Sequence, residues 1–121
     1  MKKVLVIGAS TNPSRYSNRV VQKLKRSGYE SIPFGIREGE IDGVSIQTSL
    51  PEIDDLHAIS LYLNPSRQEA YYDYILEQKP KHLIFNPGTE NPKLFQMAKE
   101  AGINPLYACN LAMLSIGNFP E

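Results

Sequence analysis

The stretch KVLVIGASTNPSRYS, Lys3 to Ser17, decides how the rest of the chain is read. Lys3-Val-Leu-Val-Ile7 is a β-branched apolar run, the pattern of a strand buried on both faces of a parallel sheet. Gly8 stops it, and Gly8 to Ser17 are small, polar or turn-forming. From Asn18 to Gly28 the spacing becomes helical. Val20, Val21 and Leu24 share one face, Lys23, Lys25 and Arg26 the other, and Gly28 suits a C-cap. Strand, small-residue loop and helix, in that order, open an α/β fold.

The alternation repeats outward from this unit. Glu30–Phe34, Ala58–Leu63, His82–Phe85 and Asn104–Ala108 read as strands, and Pro65–Gln78, Pro92–Gly102 and Leu111–Gly117 as helices. Residues 37–56 have weak periodicity. They are expected to form a loop with an extended piece, Val44–Gln47, and one helical turn over Pro51–Asp54. The pattern predicts a single domain over 1–121: a three-layer, Rossmann-like α/β fold with a mainly parallel five-stranded sheet and right-handed crossovers.

Composition narrows the function classes. With 121 residues the chain can bury one substantial core. Thirteen basic and thirteen acidic side chains cancel, so no net field draws it to nucleic acid or to an acidic membrane. No apolar stretch approaches the roughly 20 residues of a membrane span. The lone Cys109 has no internal disulfide partner, and a soluble, cytoplasmic, reduced setting is expected.

In open α/β sheets a ligand sits beyond the carboxyl ends of the strands, where strand order reverses. Those ends are Gly8-Ala-Ser-Thr-Asn-Pro13, Gly35-Ile-Arg37, Asn64-Pro-Ser66, Asn86-Pro-Gly-Thr89 and Cys109-Asn110, and only the second brings a formal charge to the rim. A small-residue loop before a helix N-terminus is a phosphate cradle, because unpaired N–H groups and a partial positive charge meet there. The loop lacks the full G-x-G-x-x-G, with Ser10 and Pro13 where glycines would stand. A nicotinamide dinucleotide site usually ends its second strand in Asp or Glu, whereas Arg37 suits a phosphorylated ribose, as in NADP or coenzyme A.

Other chemistries fit less well. No Asp ends a central strand for a phospho-acceptor role, and no Gly-Lys-Ser/Thr follows the first strand. His57 and His82 open strands, away from the crevice, and read as structural. Glu90 reads as a helix-capping residue. Cys109, beside a helix start, reads first as a small buried hydrophobe and secondly as a thiol able to form a mixed disulfide with coenzyme A. Tyr71, Tyr72 and Leu111–Ile116 offer apolar surface to the core or to a homodimer.

Several stretches together carry a resemblance: Val4-Leu-Val-Ile-Gly-Ala-Ser10, Gly28-Tyr-Glu-Ser-Ile-Pro33, Gly43-Val-Ser-Ile-Gln-Thr-Ser-Leu50, Ala98-Lys-Glu-Ala-Gly-Ile103 and Ala108-Cys-Asn-Leu-Ala-Met-Leu114. In their order and spacing the chain resembles the small stand-alone coenzyme A-binding domain proteins. These are similar to the N-terminal domain of succinyl-CoA synthetase alpha subunits.

The resemblance implies a role for each loop. Gly8, Ala9, Ser10, Asn12 and Pro13 would wrap the pyrophosphate, with Tyr16 and Ser17 near phosphate. Gly35, Ile36 and Arg37 would face the adenosine and its 3′-phosphate, and Asn64 and Pro65 would border the adenine side. Asn86, Pro87, Gly88 and Thr89 would line the path of the pantetheine arm.

Phe34-Gly-Ile-Arg37 departs from the Val-Asn-Pro of many relatives, and Asn86–Pro92 lacks their Gln-Gly. The synthetases carry a phosphorylated histidine in a second domain, so the resemblance transfers binding and not their activity. Sequence reading thus favours a non-catalytic module for coenzyme A or a short acyl-CoA, with no metal. The alternative is an NADP-binding oxidoreductase subunit.

Overall fold

The structure is a computed structural model that describes residues 1–121. In chain order its elements are β1 (Lys3–Ile7), α1 (Tyr16–Arg26), β2 (Glu30–Phe34), β3 (Glu40–Ile41), β4 (Val44–Ser45) and β5 (Leu56–Leu61). There follow α2 (Pro65–Gln68), a 3₁₀ turn (Glu69–Tyr71), α3 (Tyr72–Gln78), β6 (His82–Phe85), α4 (Pro92–Glu100), β7 (Asn104–Tyr107) and α5 (Asn110–Ile116). The predicted Rossmann-like α/β fold is present. Five strands pair in parallel in the order β2-β1-β5-β6-β7.

Central strands need apolar side chains on both faces, and the period-two pleat sends them to two cores. Leu5 and Ile7 join Ile59, Leu61, Leu83 and Phe85 under Ile75, Leu94 and Ala98. Val4 and Val6 join Ala58 and Ile84 under Val20, Val21, Leu24 and Met113. Every residue of β5 and β6 is buried. Each such large side chain contributes about 1.5–3 kcal/mol through burial.

Pro33 cannot donate to a ladder, which suits β2 as the edge strand. The far side of β2 is covered by Gln47, whose N–H donates to Pro33 O at 2.8 Å while its carbonyl accepts from Gly35 N at 3.0 Å.

Four local expectations are revised. Residues 40–45 form an antiparallel hairpin, since Asp42 (φ 50°) and Gly43 (φ 80°) supply the two left-handed residues of a tight two-residue turn. Pro51–Asp54 forms no helical turn: the N–H of Ile53 donates to the Gln78 side chain (2.9 Å) and Tyr74 OH donates to Pro51 O, which holds the segment against α3.

The third strand begins and ends two residues earlier than expected, leaving Tyr62 and Leu63 outside the sheet. The helix expected over Pro65–Gln78 is broken at Tyr71 (φ −109°, ψ 1°). The two tyrosines at the break take different partners: Tyr71 sets its ring edge-on to Phe34, while Tyr72 OH accepts from Asn91 Nδ2.

At the amino ends of the strands, His57 and His82 are both buried, with rings T-shaped 5.0 Å apart. His57 Nε2 meets Pro120 O at 2.8 Å and His82 Nε2 meets Glu121 O at 3.0 Å, so both imidazoles anchor the segment after α5. Burial holds the His57 pKa below 6.5, helped by the nearby His82, Lys2 and Lys81 and opposed by the bond to Pro120.

The unfolded chain therefore binds more protons below pH 6.5 than the folded one, and stability falls as pH drops through that range. Melting at pH 7.5 and 5.0 should show a larger acid-induced loss in the wild type than in His57→Gln. Equal losses would remove His57 from the account.

Candidate functional site

β1 has β2 on one side and β5 on the other, so the chain leaves β1 at the point where strand order reverses. A cleft of about 610 Å³ opens at these carboxyl ends. Its floor is the loop between β1 and α1. The N–H groups of Gly8 and Ala9 donate to Phe34 O at 3.0 and 2.9 Å, and Tyr62 N donates to Ile7 O at 2.9 Å, which stitches the three strand ends together.

Small side chains then shape the loop from within. Asn12 N donates to Ser10 Oγ (3.1 Å), and Asn12 Oδ1 accepts from the backbone N–H and the hydroxyl of Ser14. Asn18, one turn into α1, donates from Nδ2 to Ser10 O at 2.9 Å and clamps the loop to the helix. The helix has no side-chain cap and no acidic residue in its first turn. As a result the backbone N–H groups of Ser10, Thr11, Tyr16 and Ser17 have no partner within the fold. Four free donors around one loop have the arrangement of an anion cradle.

The charge of the lining has one sign. Arg15, Arg37 and Arg67 border the cleft, and no Asp or Glu does. The single ion pair of the fold joins Lys25 to Asp42 at 3.9 Å, so none of these arginines has a carboxylate partner. Ile7, Phe34, Ile36, Tyr62, Leu63 and Tyr71 supply an apolar portion to the same lining. Ile36 and Tyr16 are strongly exposed there, at 77% and 66%. Burial raises the Tyr62 pKa far above the usual tyrosine range and keeps the phenol neutral. The combination suits a ligand with several phosphate charges and an organic body.

Nine residues expected at the site line this cleft: Gly8, Ala9, Ser10, Asn12, Tyr16, Ser17, Gly35, Ile36 and Arg37. Seven do not. Pro13 lies in the exposed loop crest. Asn64 caps α2, accepting from Arg67 N at 3.2 Å and Ser66 Oγ at 2.6 Å, and Pro65 holds the first helical position. Asn86 is buried, donates from Nδ2 to Ser60 Oγ and Leu61 O, and accepts from Asn110 N, each at 2.9 Å. Thr89 is buried and donates to Asn86 O. Pro87 and Gly88 are exposed beside it.

The cap of α4 is Asn91, which accepts from Leu94 N, while Glu90 accepts from Gly88 N. Cys109 is half-buried before α5, outside the cleft lining.

Arg15 and Arg67 were not anticipated at the rim. Arg15 sits inside the quoted loop and could have been found as its only cation. Arg67 lies in α2, in the first turn of the helix expected over Pro65–Gln78.

A family model described as CoA binding domain matches residues 2–115, nearly the whole chain. The chain belongs to the CoA binding domain family. Among members and neighbours, the Bacillus subtilis (strain 168) protein YneT is 29% identical over 102 residues, covering 84% of this chain and 76% of YneT. A crystal structure of an uncharacterized protein is 44% identical, with a TM-score of 0.95 and 98% of each chain covered. The fold also matches a dinucleotide-forming acetyl-coenzyme A synthetase of Ca. Korarchaeum cryptofilum. That match has a TM-score of 0.71 and 17% identity, over 90% of this chain and 26% of that one. Within this CoA binding domain, no helix is long and apolar enough to cross a membrane.

Proposed function

We propose that the cleft binds coenzyme A or a short acyl-CoA and that the protein acts as a non-catalytic carrier, sensor or regulatory module. The observation that carries this reading is the cradle itself: four unpartnered N–H groups ringed by three unpaired arginines with no carboxylate among the lining. A diphosphate takes the N–H groups and a further phosphate takes a guanidinium. Fork-shaped, always-charged arginines suit phosphate oxygens better than point charges do. Membership of the CoA binding domain family supports coenzyme A over other nucleotides of this charge.

In this reading Arg37, beyond β2, holds the 3′-phosphate. Calorimetric titration with CoA, dephospho-CoA and NADPH tests it. CoA is expected to bind most tightly, with dephospho-CoA weaker by roughly ten- to hundred-fold, the worth of one charge-assisted contact. A folded protein that binds neither CoA species overturns the proposal. Tighter binding of NADPH would favour a nicotinamide-nucleotide role.

A further inference from the structure

Arg67 stands on the opposite side of the cradle from Arg37. β1 lies between β2 and β5, so the Arg37 loop and the β5–α2 connection flank the Gly8 loop from its two sides. The two flanking strands are about 10 Å apart across β1. Two long guanidinium side chains from the flanks can meet at a group seated over the loop between them.

The turn that carries Arg67 is fixed on both sides. Asn64 caps it through Arg67 N. The next residue, Gln68, is fully buried, with Nε2 donating to Leu63 O and Thr89 O, both at 2.8 Å, and Oε1 accepting from Asn91 Nδ2 at 2.9 Å. This buried amide is satisfied from three directions and pins α2 to the loops after β5 and β6. The exposed Arg67 side chain, by contrast, has no carboxylate partner. A locked backbone that presents an unpaired cation to a cleft of uniform charge is the arrangement of an anion contact.

We infer that Arg67 is a ligand-binding residue that closes the cradle on the diphosphate, while Arg37 reads the terminal phosphate on the ribose. This assignment rests on the coenzyme A reading of the cleft. It gives the Asn64-Pro65 turn and the buried Gln68 a part in binding through the cation they position.

The test is a matrix of two ligands and three variants. Arg67→Gln should weaken CoA and dephospho-CoA alike, by roughly ten- to hundred-fold, because both carry the diphosphate. Arg37→Gln should weaken CoA by a similar factor and leave dephospho-CoA unchanged. Arg67→Lys, which keeps the charge and loses the fork, should fall between wild type and Arg67→Gln. Far-ultraviolet circular dichroism and the melting point of each variant verify the fold.

If the wild type binds CoA and Arg67→Gln binds it equally well, the inference fails and the coenzyme A reading stands. The inference also fails if Arg67→Gln loses only the preference for CoA over dephospho-CoA. If the wild type binds neither ligand, both fall together.

Discussion

Replacing Asn86 by alanine should lower the melting midpoint by roughly 10 °C and leave the CoA affinity of the folded protein within about twofold of wild type. All three side-chain hydrogen bonds of Asn86 stay inside the fold: two donated to β5, at Ser60 Oγ and Leu61 O, and one accepted from the first N–H of α5. The residue is 1% exposed, so truncation leaves buried groups without water to replace their partner. An orphaned buried group costs about 1–3 kcal/mol, and a total near 3 kcal/mol is expected.

The resemblance placed Asn86 on the path of the pantetheine arm, which predicts the reverse pattern. A tenfold loss of CoA affinity at unchanged stability would restore that role. The outcome separates a residue that builds the rim from one that touches what the rim holds. Calorimetry and thermal melting on the same sample read both quantities.

Much of the fold was legible because its signals are local. Val4–Ile7 and Leu83–Phe85 are continuous apolar runs punctuated by Gly8 and Asn86, the pattern of a central parallel strand. The helix expected over Asn18–Gly28 starts at Tyr16, so the first turn of α1 lies inside the loop that holds the cradle. The hairpin over residues 40–45 was also legible, since Asp-Gly between apolar residues is a strong turn signal. It was missed because its strands are only two residues long.

The break at Tyr71 was not legible. It depends on Phe34 and Asn91, residues 37 positions before and 20 after it, and no periodicity along residues 65–78 reports them.

The site divides in the same way. Loop residues next to β1 and β2 were expected at the cleft because a turn before a helix announces free N–H groups, and they line it. Asn64, Asn86 and Thr89 looked alike in sequence, as polar residues at strand ends, yet each completes a hydrogen bond inside the fold. A polar residue at a strand end can satisfy the backbone or meet a ligand, and only its partners distinguish the two. Arg67 shows the converse. It lies in the first turn of the segment read as a helix, and it borders the cleft beside the buried Gln68.

Gly35→Ala should abolish most CoA binding with a single methyl group. A Cβ built on Gly35 lies 2.5 Å from Ala9 O and 3.3 Å from Ile46 Cγ2, and the first distance cannot be tolerated by a backbone carbonyl. Ala9 cannot yield freely, because Gly8 N and Ala9 N both donate to Phe34 O, the carbonyl next to the substituted residue. The carbonyl of Ala9 and the N–H of Ser10 belong to one peptide plane. Pushing the oxygen aside therefore turns one of the four free donors of the cradle out of line.

Loss of one charge-assisted contact predicts an affinity roughly ten- to hundred-fold lower, with an overpacking cost of about 1–3 kcal/mol in stability. Ser10→Ala is the matched control. It removes a hydroxyl that accepts only from Asn12 N and keeps the Ser10 N–H in place, so its effect on binding should be several-fold at most. Full CoA affinity in Gly35→Ala would mean that the ligand does not use the Ser10 N–H. The phosphates would then have to sit nearer Tyr16 and Ser17, on the first turn of α1, where the methyl has no reach.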